Sequence, residues 1–262
     1  MKETWRLIED AALPGPWNMA ADFALMKSVS RGESRPVLRI YRWERPSITI
    51  GYFQEAADEL YMDACAAQGV PVIRRITGGG AVLHDSEITY SVSLPLTHPL
   101  AFGTVLDSYK KLLAPVIRAL GLLGVECEYQ PVNDLVARGK KISGSAQTRR
   151  DGVLLQHGTI LLDVDPDKMF RFLRVSREKI EGKNLEQASS RVTSMKAFLG
   201  PTVNEEPFAG ELYAALARCF GDGFSIRLND SRLTPREHEE ALSIAHRLFE
   251  NPEWNITRSI KP

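Results

Sequence analysis

The 262-residue chain predicts an α+β fold in which helices flank a mixed, largely antiparallel sheet. Three observations carry that expectation. Short β-branched and aromatic runs alternate with stretches of helical period from end to end. The middle of the chain, from Asn133 to Asp163, reads as a meander punctuated by Arg138-Gly139 and Asp151-Gly152, dipeptides suited to tight hairpin turns. No repeat, low-complexity tract or linker interrupts the pattern, so residues 1–262 are expected to form one domain with its core at about 33–220.

Taken in order, Trp5 to Ile8 predicts a short strand. Pro14-Gly15-Pro16 breaks the chain before a helix from about Trp17 to Ser30, with Met19, Phe23 and Met26 on one face. Val37 to Trp43 and Ile48 to Phe53 are expected to pair as a hairpin around Arg45-Pro46. Glu55 to Gln68 predicts one amphipathic helix, ended by Gly69 at the C′ position. Val70 to Ile73 and Ile88 to Leu94 read as strands on either side of a glycine loop. From Thr104 to Leu123 apolar residues recur at helical spacing, and Pro115 within the run predicts a kink or two helices in succession. Val125 to Tyr129 and Val153 to Asp163 are further strands. Asp165-Pro166 opens a helix to Leu173, with Asp165 as its cap. Ser176 to Ser190 is polar and predicts a mobile loop, and Arg191 to Ser194 precedes another short helix. Phe208 to Phe220 and Pro235 to Phe249 are helices on either side of a strand at Ser225 to Leu228.

Composition narrows the class. Lys+Arg and Asp+Glu are equal at 33 each, which gives no support for binding nucleic acid or an anionic membrane nonspecifically. No apolar run approaches the roughly 20 residues that span a bilayer, and the N-terminus lacks the apolar core of a signal peptide. Cys65, Cys127 and Cys219 are isolated, forming neither a disulfide framework nor a paired metal motif, so a reduced, cytoplasmic setting is expected.

Two stretches carry chemistry. The first is Arg74-Arg75-Ile76-Thr77-Gly78-Gly79-Gly80-Ala81-Val82-Leu83-His84-Asp85. A two-residue turn needs one or two positive-φ positions, so a third glycine indicates close approach to the backbone. Bare amides beside paired arginines suit an anion such as a carboxylate or phosphate. The second stretch runs from Asn133 to Gln147. Its small residues Ser143-Gly144-Ser145-Ala146 leave room above the sheet for a ligand, and equally permit plain close packing.

RRITGGGAVLHD, then NDLVARGKKISGSAQ, then HGTILLDVD together resemble the lipoate–protein ligase family, a branch of the biotin/lipoyl ligase fold related to class II aminoacyl-tRNA synthetases. The resemblance extends from Gly51-Tyr52-Phe53-Gln54 through Ser190-Arg191-Val192-Thr193 to Glu253-Trp254-Asn255. It implies that ATP, with Mg²⁺, activates lipoate as lipoyl-AMP, and that a lysine of an acceptor then takes the lipoyl group. The implied acceptors are the lipoyl domains of 2-oxoacid dehydrogenases and the glycine-cleavage H protein. In this reading Lys141 is the catalytic lysine, expected to contact the α-phosphate and the carbonyl oxygen of the intermediate. Arg74, Arg75, Gly78, Gly79, Gly80, His84, Ser143 and Gly144 are expected to hold lipoate or its adenylate. Val82, Asn133, Asp134 and Lys141 are expected at the nucleotide, with Asp134 either holding Mg²⁺ or deprotonating the incoming lysine.

Other residues are weighed beside these. Lys140 alternates to the opposite side of its strand and is expected to be solvated. His84 and Asp85 resemble a catalytic pair but fall on alternate faces, so a structural role is expected for at least one. His157 is either a satisfied sheet histidine or a pocket residue, and Trp43, Tyr52 and Phe53 are candidates for an apolar tunnel.

Two departures qualify the resemblance. Larger ligases carry an accessory domain after the Trp-Asn segment, whereas this chain stops seven residues after Asn255, so adenylation is expected to need a separate accessory polypeptide. Related octanoyl- and lipoyl-transferases share the KISGSAQTR segment and move an acyl group through a cysteine thioester without ATP. Cys127 is the residue placed for such a role, but Glu126 and Glu128 beside it oppose thiolate formation, and a structural role is expected. The leading expectation is an ATP-dependent ligase; the alternatives are a cysteine-dependent transferase and a noncatalytic lipoate or nucleotide binder.

Overall fold

A computed structural model describes residues 2–174, 191–204 and 206–262. The expected loop at Ser176 to Ser190 lies outside the described residues.

Eleven strands are present among them: β1 (Thr4–Leu13), β2 (Val37–Trp43), β3 (Ser47–Ile50), β4 (Val72–Arg74), β5 (Val82–His84), β6 (Glu87–Pro95), β7 (Glu128–Gln130), β8 (Asp134–Ala137), β9 (Lys140–Arg150), β10 (Val153–Leu161) and β11 (Arg227–Asp230). Eight form a mixed sheet in the order β11-β1-β2-β6-β10-β9-β8-β7, and β4-β3-β5 form a second, smaller sheet. In the large sheet β1 runs parallel to both β2 and β11, and every pair from β2 across to β7 is antiparallel. The expected class, a mixed and largely antiparallel sheet flanked by helices, is the one observed.

The meander forms where its turn residues put it. Arg138 and Gly139 have φ of 48° and 74°, and Asp151 and Gly152 have φ of 51° and 76°. Two successive positive values give the turn whose twist matches that of the paired strands. The hairpin expected around Arg45-Pro46 does not form. No residue there has the positive φ that a tight hairpin needs, and both strands are buried on both faces. Each therefore takes neighbours on two sides, β2 between β1 and β6, and β3 between β4 and β5.

Helices behave similarly. Gly15–Ser30 is buried on almost all sides, because the sheet covers one side and the C-terminal helices cover the other. The helix expected over Glu55 to Gln68 splits into Ala56–Glu59 and Met62–Ala67. Leu60 is drawn into an extended conformation where it bridges Leu173, and Tyr61 N–H donates to the Phe172 carbonyl. Val105–Leu122 is one helix that runs through Pro115, started by a capping box between Thr104 and Asp107. With Glu206–Gly223 it covers the face of the large sheet opposite Gly15–Ser30. Pro235–Ile244 ends in a π-helical turn, Ala245–Phe249. No helix among the described residues is long and apolar enough to cross a membrane.

One charged pair ties the two ends of the chain together. Arg6 on β1 donates to both oxygens of Glu237, at 2.6 and 2.9 Å, and Thr234 N–H donates to the same carboxylate at 2.8 Å. Burial alone would raise this carboxyl, but the Arg6 and Thr234 hydrogen bonds outweigh it and hold the pKa at about 2. A depressed folded-state pKa contributes stability that is present above the unfolded value of about 4.5 and lost as pH falls toward 2. Glu237→Gln should lower the unfolding free energy at pH 7 by roughly 3 kcal/mol. In urea titrations the gap between variant and wild type should close as pH drops from 4.5 to 2; a gap independent of pH would disprove the linkage.

Candidate functional site

The site begins with an irregularity in β9. Strict alternation would put Lys141 and Gly144 on opposite faces. The β8–β9 register slips, however, so that Leu135 faces Ser143 while Val136 faces Lys141, leaving Ile142 as an extra residue. Ile142 enters the core, and the bulge turns Lys141 onto the face that carries Gly144. A Cβ on Gly144 would lie 2.7 Å from both Cε and Nζ of Lys141, so glycine is what allows the lysine to lie across its own strand. The ammonium reaches Asp134 Oδ1 at 2.6 Å. Parallel bridging from Arg191 and Thr193 anchors the Lys141 backbone on its other side, at 2.8 Å in both bonds. Lys140 projects into solvent, as expected.

Facing this pair is the glycine bend. Arg75 is buried, and its guanidinium donates to the carbonyls of Gly78 and Gly80 at 2.9 and 3.0 Å, and to Thr49 Oγ1 at 2.6 Å. Gly79 has φ of 97°, and its carbonyl passes so close to Gly51 that a Cβ there would sit 2.0 Å from the oxygen. Gly51 is thus required by backbone contact and Gly79 by its positive φ. Burial lowers Arg75 to about 10, still charged at neutral pH, and no carboxylate among the described residues contacts it. Thr77 Oγ1 and His157 Nε2 are 2.8 Å apart, and His157 Nδ1 lies 3.4 Å from Asp22 Oδ2. Desolvation depresses the His157 pKa, holding the ring toward its neutral form.

Between the lysine and the bend lies a cavity of about 420 Å³. Its lining includes the expected Arg75, Gly79, Gly80, Val82, His84, Asn133, Asp134, Lys141 and Gly144, together with His157 and Trp43. His84 stacks on Trp43 at 3.8 Å and is held at both nitrogens, by Glu87 at 2.6 Å and Thr49 at 2.7 Å. Asp85 turns outward to Lys168 at 2.6 Å, so the two neighbours do not act as a pair. Asn133 donates its side-chain amide to the Ser145 carbonyl and ties β8 to β9. No group of three metal-ligand side chains gathers among the described residues, and Asp134, expected at Mg²⁺, is engaged by Lys141.

Five expected residues fall elsewhere. Arg74 points away from the cavity, since successive side chains on a strand oppose one another. Its guanidinium donates to the carbonyls of Trp254, Gly51, Tyr52, Gln54 and Ile256, while Trp254 Nε1 donates back to the Arg74 carbonyl at 2.8 Å. The Glu253-Trp254-Asn255 motif is therefore the clamp on Arg74. Ser143 is buried beneath the sheet and Gly78 is not in the lining. Of the tunnel candidates, Tyr52 packs on Trp254 and Phe53 is 76% exposed. Cys127 packs against the opposite core with Tyr129, and burial pushes its thiol up to about 11. Cys65 and Cys219 are buried. Sequence reasoning missed Met19, Tyr41, Thr49, Glu87 and Thr159 in the lining, and the buried Asp22–Arg39 pair at 2.9 Å beneath it. Asn18 and Asp22, polar and one turn apart on an apolar helix, were the available signal.

The profile described as "Lipoyl protein ligase A/B catalytic domain" matches residues 14–217, and the chain belongs to that family. It is 35% identical to the octanoyltransferase LipM of Kyrpidia tusciae, covering 98% of this chain and 100% of that one. It is 36% identical to the octanoyltransferase LipM of Carboxydothermus hydrogenoformans, covering 96% and 98%. Among solved structures, the bipartite lipoate protein ligase of Thermoplasma acidophilum superposes with a TM-score of 0.86 at 28% identity, covering 99% of both chains. The expected ATP-dependent ligase is corrected by the first two: relatives aligned over nearly their whole length are octanoyltransferases by name, not ligases.

Two outcomes check the geometry. Arg74→Ala leaves five carbonyls short of a donor and should lower the unfolding free energy by about 3–5 kcal/mol in urea; a loss below about 1 kcal/mol would show that the clamp does not hold in solution. A thiol at about 11 rather than 9.0 carries roughly a hundredfold less thiolate at pH 7. Iodoacetamide should therefore label Cys127 slowly at pH 7 and steadily faster toward pH 11, read by peptide mass. Fast labelling at neutral pH would contradict the half-buried placement against the core.

Proposed function

We propose that this chain is an acyltransferase that moves an octanoyl group from a carrier thioester to a lysine ε-amine on a lipoyl domain. Lipoyl domains of 2-oxoacid dehydrogenases and the glycine-cleavage H protein are the acceptors this reading names. The relatives support the transfer, and the solved bipartite ligase was studied with its own E2 lipoyl domain. The observation that carries the chemistry is the Lys141 ammonium, held over Gly144 at the cavity edge by Asp134.

The reaction needs three things from this site. The acyl chain must leave water, and the cavity offers Leu83, Leu161, Val164 and Leu173 among its walls. Negative charge developing on the carbonyl oxygen needs a donor already in place, and Lys141 is a compact cation able to follow it. The attacking amine must lose a proton, for which the Asp134 carboxylate stands 2.6 Å from Lys141. As the amide C–N bond forms, the C–S bond breaks, and the proton lost by the amine ends on the departing thiolate. The same oxyanion site serves any nucleophile that reaches the carbonyl. Capture on Cys127 would require the strand end carrying it to turn over, because that side chain faces the other core.

The deciding experiment combines purified chain, an octanoyl thioester carrier and a lipoyl domain, with no ATP. The acceptor should gain the mass of one octanoyl group. Failure without ATP, together with success on ATP, Mg²⁺ and free octanoate, would overturn the reading. Lys141→Ala and Lys141→Arg should both lose transfer while melting like wild type, since a planar guanidinium cannot take the compact position. Gly144→Ala should cost at least about tenfold in rate by displacing the lysine tip, with little loss of stability.

A further inference from the structure

The cavity crosses five neighbouring strands, touching Asp134 on β8, Lys141 on β9, Thr159 on β10, Thr89 on β6 and Tyr41 on β2. At its far end Met19 enters from the helix Gly15–Ser30. Strands lie about 4.8 Å apart, so the distance from β9 to β2 is about 14 Å. An extended eight-carbon acyl chain, with bonds of about 1.5 Å in zigzag, reaches about 9 Å. A carbonyl held over Gly144 would place the eighth carbon short of β2 by roughly the reach of one methionine side chain.

The other walls at that end are pinned. Tyr41 donates its hydroxyl to Asp22 at 2.9 Å and carries the Arg39 guanidinium 4.0 Å above its ring. Trp43 donates to Thr89 at 2.9 Å and stacks on His84. Met19 makes no side-chain hydrogen bond and has three rotatable bonds, so it can yield where these two aromatic walls cannot.

The geometry points to Met19 as the gauge of acyl chain length, closing the cavity behind an eight-carbon chain. This inference rests on the acyltransferase reading and names a specificity-determining residue within it. Shortening the side chain opens room for further methylenes, and enlarging it removes room for those present.

The test is a chain-length profile over straight-chain acyl thioesters of six to fourteen carbons, for wild type, Met19→Ala and Met19→Phe. Wild type should peak at eight carbons. Met19→Ala should raise the rate on ten- and twelve-carbon donors relative to eight by about tenfold or more, and Met19→Phe should move the optimum to six. Calorimetric binding of the free acids should show the same order without any transfer step. If Met19→Ala does not fold, Met19→Val and Met19→Phe still bracket wild type. Unmoved profiles in variants that melt cooperatively would refute the gauge. Absence of transfer by wild type at every length, with ordered binding of the free acids, would instead refute the acyltransferase reading and leave the gauge standing.

Discussion

Two adjacent guanidinium groups, buried on opposite sides of the same short segment, hold the glycine bend in place, and the site depends on them. Arg75 takes the carbonyls of Gly78 and Gly80, which leaves the amides of the bend directed elsewhere. Arg74 locks the segment from behind through five carbonyls, reaching as far as Ile256. A buried cation without a carboxylate is costly unless every donor is matched. That cost makes the arrangement specific, since few other backbone paths would present so many carbonyls to two neighbouring side chains. It also leaves the Arg75 side of the cavity positive, an environment suited to developing negative charge.

The second anchor works by omission. Gly144 leaves space that the Lys141 chain fills, and the bulge at Ile142 turns the lysine to meet it. The ammonium is thus set by backbone register together with its contact to Asp134. Asp134, opposite Gly144 on β8, completes the arrangement because the register brings those two residues side by side. Charge, space and strand pairing all converge on one point at the cavity edge.

Much of this was legible in the residues, for reasons that differ from part to part. The meander could be read because Arg138-Gly139 and Asp151-Gly152 encode their turns locally. The Gly78 to Gly80 bend could be read because three glycines in succession mark backbone that must pass close to something. Lys141 could be singled out only through the family resemblance; the small residues after it read as room for a ligand, whereas Gly144 makes room for the lysine itself. Arg74 and Arg75 could not be told apart, since the choice of face depends on which sheet their strand joins. That sheet, β4-β3-β5, was itself illegible, because both strands around Arg45-Pro46 leave for different partners. The helix carrying Met19 and Asp22 showed only an apolar stripe, while its burial comes from the sheet on one side and, on the other, from helices more than two hundred residues away.

The correction from ligase to transferase has a physical basis. A ligase and a transferase of this fold both pass a carboxylic carbon through a tetrahedral oxyanion before an amide forms, so both need the cavity, the fixed cation and the ordered bend. They differ in the leaving group, a phosphate in one case and a thiolate in the other. Lys141, Gly144 and Asp134, the residues proposed at the shared oxyanion, have their spacing fixed by strand register. Residues that accept one leaving group and refuse another lie on the walls around it, where several side chains give equivalent packing. A motif on β9 is therefore compatible with either reaction, and the source of activation is left to contacts that no short spacing encodes.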